Sequence, residues 1–153
     1  MVISCFILFS SCDRTIIGKT LTEVDFNNNV TDVLLTYRQN VYNIKLSYSS
    51  DFLTVSFTDK DTALCGVTYK INSQVCRVTY GDISHDTPVE NLPNTFFPRV
   101  IYKFISDFGG VIPTENYNTQ RECSYVSRNV FNTHVTLEVY ENKENKSYSL
   151  HIT

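Results

Sequence analysis

The chain has 153 residues, 13 basic and 16 acidic, for a formal net charge of −3. That length supports one domain with a real core, and the charges form no basic stripe, which excludes a nucleic-acid partner. Ten tyrosines and ten phenylalanines without a tryptophan, set among many Thr, Ser and Asn residues, make the composition of a β-rich domain. Of the five cysteines, Cys5 and Cys12 lie in the N-terminal apolar stretch and Cys65, Cys76 and Cys123 beyond it. No pair has zinc-site spacing, and His85, His134 and His151 are scattered, so no metal centre is expected.

Met1 to Phe9 is apolar apart from Ser4 and runs into Phe9-Ser10-Ser11-Cys12, followed by Asp13-Arg14. An apolar run, small residues and then cysteine resemble the bacterial lipobox, whose cysteine becomes the acylated first residue of the mature chain. The resemblance makes Cys12 the lipid-attachment site. Residues 1–12 are then a signal segment, 13–21 a tether, and 22–153 one domain. The rival reading is an ordinary secretory signal that happens to contain cysteine. Both place the domain outside the cytoplasm, and acylation would hold it at a membrane surface. The apolar run is too short to span a bilayer as a helix.

Three strands come first. Val33, Leu35 and Tyr37 alternate, then Tyr42, Ile44, Leu46 and Tyr48, then Leu53, Val55 and Phe57. A turn at Gln39-Asn40 pairs Leu35 with Ile44, and a turn at Ser49-Ser50 pairs Leu46 with Leu53. Both registers send one apolar face inward. Cys65, Val67, Tyr69 and Ile71 alternate next, then Cys76, Val78 and Tyr80, with a turn at Asn72-Ser73. That register separates Cys65 and Cys76 by roughly 13 Å, too far for a disulfide, so both read as small buried hydrophobes. Gly81 to Asn91 is polar and reads as a loop.

The stretch Leu92 to Phe108 is the one convincing helix. Phe96, Phe97, Val100, Ile101, Phe104, Ile105 and Phe108 make a continuous apolar stripe at helical spacing. Asn94 or Thr95 can cap it, Pro98 is tolerated in its first turn, and Gly109 can adopt the left-handed stop. Gly109 to Gln120 reads as a second loop. A strand at Cys123 to Ser127 and a closing hairpin follow, with Val139 opposite Tyr148, Leu137 opposite Leu150 and Val135 opposite Ile152. The expected fold is α+β and mostly β: a curved antiparallel sheet of about eight strands, an open half-barrel, wrapped around one amphipathic helix.

A lipobox-like Cys12, the strands from Val33 to Phe57, Ala63-Leu64-Cys65-Gly66-Val67-Thr68-Tyr69-Lys70-Ile71, Val78-Thr79-Tyr80-Gly81-Asp82-Ile83 and the helix opening Leu92-Pro93 stand in one order. Taken together they resemble the small lipoproteins of Gram-positive bacteria thought to share the LolA/LolB-type lipoprotein-carrier fold. The resemblance covers roughly residues 24–152. It implies an apolar groove between helix and sheet, able to hold a lipid acyl chain or an apolar peptide. The lining would be Phe97, Ile101, Phe104 and Ile105 from the helix with Leu46, Val55, Val78 and Leu137 from the sheet. An alternative keeps the fold but fills the sheet with the helix, leaving an interaction or sensor module that meets a protein partner through its surface.

No motif points to an enzyme. Ser84-His85-Asp86 holds the residue types of a hydrolase triad, but sequence neighbours cannot adopt its geometry. There is no phosphate-cradling glycine loop and no cofactor fingerprint.

Overall fold

The computed structural model describes residues 21–153. The signal segment 1–12, its Cys5 and Cys12, and all of the 13–21 tether except Leu21 lie outside the described residues. The strands before the helix are β1 (Glu23–Asp25), β2 (Thr31–Tyr37), β3 (Asn40–Ser49), β4 (Phe52–Phe57), β5 (Val67–Ile71), β6 (Val75–Tyr80) and β7 (Ile83–Pro88). A single 3-10 turn, Val89–Asn91, leads to helix α1 (Phe97–Asp107). After it come β8 (Val111–Pro113), β9 (Asn116–Asn118), β10 (Cys123–Val130), β11 (Thr133–Glu141) and β12 (Lys146–Ile152).

β1 and β8 pair by themselves, and the other ten strands form one sheet in the order β7-β6-β5-β4-β3-β2-β12-β11-β10-β9. The class is as expected, mostly β with one helix, but the expected count of about eight strands is too low. Two segments read as loops contain β7, β8 and β9. The sheet is also not wholly antiparallel. Each half is an antiparallel meander, and the halves meet where β12 runs parallel to β2. The sheet stays open, with β7 and β9 as its two edges.

The closing hairpin has the expected register, Val139 with Tyr148 and Leu137 with Leu150. The three earlier hairpins are each shifted by two residues: Leu35 pairs with Tyr42, Leu46 with Val55, and Ile71 with Cys76. A slip of two keeps every side chain on its own face, so the apolar pattern cannot detect it. Turn chemistry decides instead. Arg38-Gln39 and Ser50-Asp51 both have positive φ at two successive residues, the backbone that matches strand twist in a two-residue hairpin. In the third hairpin the Asn72 side chain accepts hydrogen bonds from the backbone N–H groups of Gln74 and Val75, both at 2.8 Å, which moves the turn one residue on. Cys65 consequently sits in the turn before β5, partly buried, and Cys76 is fully buried; both are free thiols.

The helix starts later than the sequence implies. Phe96 occupies the cap position without a side-chain hydrogen bond, and Pro98 lies in the first turn. Its stop is as expected, with Gly109 at φ +63°. Gly110, at φ +87°, has no room for a Cβ, which would stand 2.2 Å from Asn27 Oδ1. There the chain after the helix touches the chain after β1, and Phe26 N–H donates to the Gly110 carbonyl at 2.9 Å.

Aromatic rings seat the helix. Phe97 packs against Tyr37 of β2, Phe57 of β4 and Tyr69 of β5, with ring centroids 5.4–5.7 Å apart. Phe108, just past the other end of the helix, lies under Arg128 of β10. A flat sheet would put β5 and β10 about 29 Å apart, six strand spacings. Phe97 and Phe108 are separated by only about 16 Å of helix. The sheet therefore curves over the helix, and one apolar cluster joins both meanders to it.

Candidate functional site

Seven of the eight expected groove residues are core residues. Phe97, Ile101, Phe104, Ile105, Leu46, Val55 and Leu137 are buried in one cluster, and Val78 is half-buried beside it. Ile101 and Val55 have 0% of their surface accessible. A water-sized void between helix and sheet would leave accessible area on its walls, so little room for a ligand remains there. Phe104 borders a small cleft, of about 200 Å³, where the helix end meets β10. The aromatic excess that suggested a groove is spent instead on ring-to-ring packing around Phe97 and Phe96.

The outer face of β10–β12 carries a polar network absent from the sequence reading. Glu138, only 6% exposed, accepts hydrogen bonds from Arg121 Nη1 at 2.6 Å and Tyr140 Oη at 2.6 Å, with His151 Nε2 at 3.1 Å. β-sheet register places these groups: Glu138 stands between Tyr125 and Ser149, and Tyr140 opposite Cys123. Burial by itself would raise the Glu138 pKa. The Tyr140 and Arg121 hydrogen bonds and the nearby His151 and Arg121 charges outweigh it, so the carboxyl lies below its usual range. Burial pushes the Tyr140 hydroxyl and the Cys123 thiol upward, and the Glu138 charge adds to both. A thiol raised in this way is poorly nucleophilic. The network ties down an outward-facing carboxylate.

β7 is the other unanticipated feature, and it contains Ser84, His85 and Asp86. On a strand, His85 points to the face opposite Ser84 and Asp86. Asp86 is held by Arg77 through two hydrogen bonds of 2.7 Å, a bidentate pair across β6 and β7 that lowers its pKa. No triad can form. The strand's signal was Gly81-Asp82, a two-residue turn with Gly81 at φ +56° and Tyr80 paired with Ile83. β7 is an edge strand six residues long, whereas β9 at the other edge has three. Ile83, 74% exposed, and Tyr80 stand side by side at its start.

Among the described residues, no group of His, Cys, Asp or Glu side chains is placed to hold a metal ion, and no helix is long and apolar enough to cross a membrane. Comparison of the chain with family models, curated proteins and solved structures returned no match.

Proposed function

We propose that the chain is an interaction module that works outside the cytoplasm, held at a membrane by acylated Cys12, and recognises a protein partner through its surface. The observation that carries this reading is the filled interior: the residues expected to line a groove are buried against one another. The carrier role implied by the LolA/LolB-type resemblance would require α1 to part from β4 and β5. A curved open sheet over a helix fits that resemblance as a scaffold, and fold by itself does not assign a role.

The partner's place is the free edge of β7. Edge strands offer unpaired N–H and C=O groups to an added strand, and the neighbouring Ile83 and Tyr80 side chains supply exposed apolar surface. A photo-crosslinking amino acid at Ser84 should give adducts with a protein partner on intact cells, while one at exposed Lys143 should not. Substituting Ile83→Lys should reduce the Ser84 adducts without changing the melting temperature. A fluorescent fatty acid titrated into the chain should show no saturable binding. Saturable fatty-acid binding, or equal adducts from both positions, would return the lipid-groove reading to first place.

Anchoring is tested separately. Metabolic labelling with a fatty-acid analogue should mark the native chain and not Cys12→Ser. Equal labelling of the two, or none of either, leaves a secreted module in place of an anchored one.

A further inference from the structure

The last rung of the parallel junction pairs Tyr37 of β2 with Ile152 of β12, on the inner face that carries Leu35 and Leu150. Just past it a cleft of about 520 Å³ opens, a size usual for small-ligand sites. Two hairpin turns supply its sides, Arg38-Gln39 after β2 and Phe131-Asn132 after β10, each with positive φ at both residues. Thr95, on the approach to α1, also lines it, and its carbonyl accepts a 3.2 Å hydrogen bond from Tyr37 Oη. Four segments distant in sequence therefore meet at one mouth.

Two polar groups of this cleft have no hydrogen-bond partner among the described residues. Arg77, Arg99, Arg121 and Arg128 each donate to a carboxylate or a backbone carbonyl. The Arg38 guanidinium makes no ion pair and no hydrogen bond, and lies 5.1 Å from the centre of the Tyr37 ring. Stacked on a ring, that planar fork is oriented in advance for a carboxylate. The second group is the Thr133 hydroxyl. Thr133 is 9% exposed, on the inner face with Val135, and its Oγ1 is unpaired. Beside β1 a larger cleft, of about 670 Å³, is lined by Thr22 and Ser124, whose unpaired hydroxyls are sealed off from it. Thr133 Oγ1 is not sealed in that way, so an occupant of the smaller cleft can reach it.

Charge and polarity select the occupant. The lining has one cation, Arg38, and no Asp or Glu side chain, which favours an anion. Thr153 is turned toward β11 by two hydrogen bonds with His134, of 2.9 and 3.0 Å, and makes no ion pair with Arg38. Gln39, Asn132 and Thr133 bring amides and a hydroxyl, which an acyl chain would leave facing methylenes. An occupant with an amide of its own matches them, and Tyr37 and Ile152 offer it an apolar wall. We propose that the cleft binds an N-acylated apolar amino acid by its free α-carboxylate, the group that ends a peptide. The carboxylate would accept from Arg38, the amide would pair with Thr133 Oγ1, and the apolar side chain would lie on Tyr37 and Ile152. The middle of the sheet builds this site, so it is independent of the partner edge at β7.

The test is isothermal titration of N-acetyl-L-phenylalanine into the full chain, with its neutral primary amide as comparator. The acid should bind saturably at one site, and the amide at least about tenfold more weakly, the size of one charge-assisted hydrogen bond. Arg38→Gln should weaken binding of the acid by a similar factor. Lys143→Gln, which removes a positive charge from an exposed turn elsewhere, should leave affinity unchanged. Thr133→Val keeps the side-chain shape and removes only the hydroxyl. It should weaken binding by about three- to tenfold, the range of one hydrogen bond, while the melting temperature of the free protein stays the same or rises. Circular dichroism checks that each variant is folded. Tighter binding of the tripeptide acetyl-Ala-Ala-Phe than of N-acetyl-L-phenylalanine supports the site with a peptide end as its source, and equal or weaker binding supports it with a free acylamino acid. No saturable binding of the acid, equal binding of its amide, or equal loss in the Lys143 control overturns the proposal. So does a Thr133→Val variant that binds normally.

Discussion

Replacing Phe104 by alanine should lower the unfolding free energy by about 3–5 kcal/mol, the range for removing a fully buried phenylalanine. Phe104 is 1% exposed and packs at 5.7 Å against the Phe108 ring. Its neighbours on the stripe, Ile101 and Ile105, are buried too, and surroundings that are already close-packed collapse poorly into a new cavity. For a domain whose total stability is about 5–15 kcal/mol, the loss is a large share of the whole. Urea unfolding should show a lower midpoint with an unchanged slope, as expected when stability changes and compactness does not. Phe104→Leu should lose less than half as much. If Phe104→Ala costs under about 1 kcal/mol, the side chain has an open space beside it. The filled interior, and the function built on it, would then be withdrawn.

The helix and the apolar faces were legible because both depend on period alone. Val33, Leu35, Ile44, Leu46, Leu53, Val55 and Phe57 all point inward as their alternation implies. The exact rungs were hidden, because a two-residue slip changes no face and only positive-φ turns such as Arg38-Gln39 distinguish the registers. β7 went unread because its residues are almost all exposed, so it has no alternating apolar signal. β8 and β9 are three residues each, too short for any period to appear. How the apolar faces close on one another was hidden on a different ground. Sequence gives the amount of apolar surface but not whether Phe97 and Tyr69 meet edge to face or leave a gap between them. The cleft beside β1 was out of reach for a related reason. It is lined by Thr22, just before β1, and by Ser124 of β10, and no local pattern connects them.

Substituting Glu138→Gln should cost about 1–3 kcal/mol at pH 7, since it weakens hydrogen bonds that the carboxylate makes as a charged acceptor. The effect should depend on pH in a definite direction. Glu138 titrates lower in the folded chain than the usual glutamate, because the Tyr140 and Arg121 hydrogen bonds overcome its burial. A depressed carboxyl binds fewer protons folded than unfolded, so its stabilising contribution is complete above the ordinary glutamate range, about pH 4.3. As pH falls below that range the contribution shrinks, and it is gone once pH passes the folded value. Asp86 and Glu115 are also lowered, by hydrogen bonds from Arg77 and Arg128. They are exposed pairs present in both proteins, so they cancel in the comparison. Urea unfolding of the native chain and Glu138→Gln at pH 5, 4 and 3 should give a difference that narrows as the carboxyl takes up its proton. A difference that stays the same down to pH 3 would mean that the Glu138 charge contributes nothing, and that the network holds β10–β12 together by packing alone.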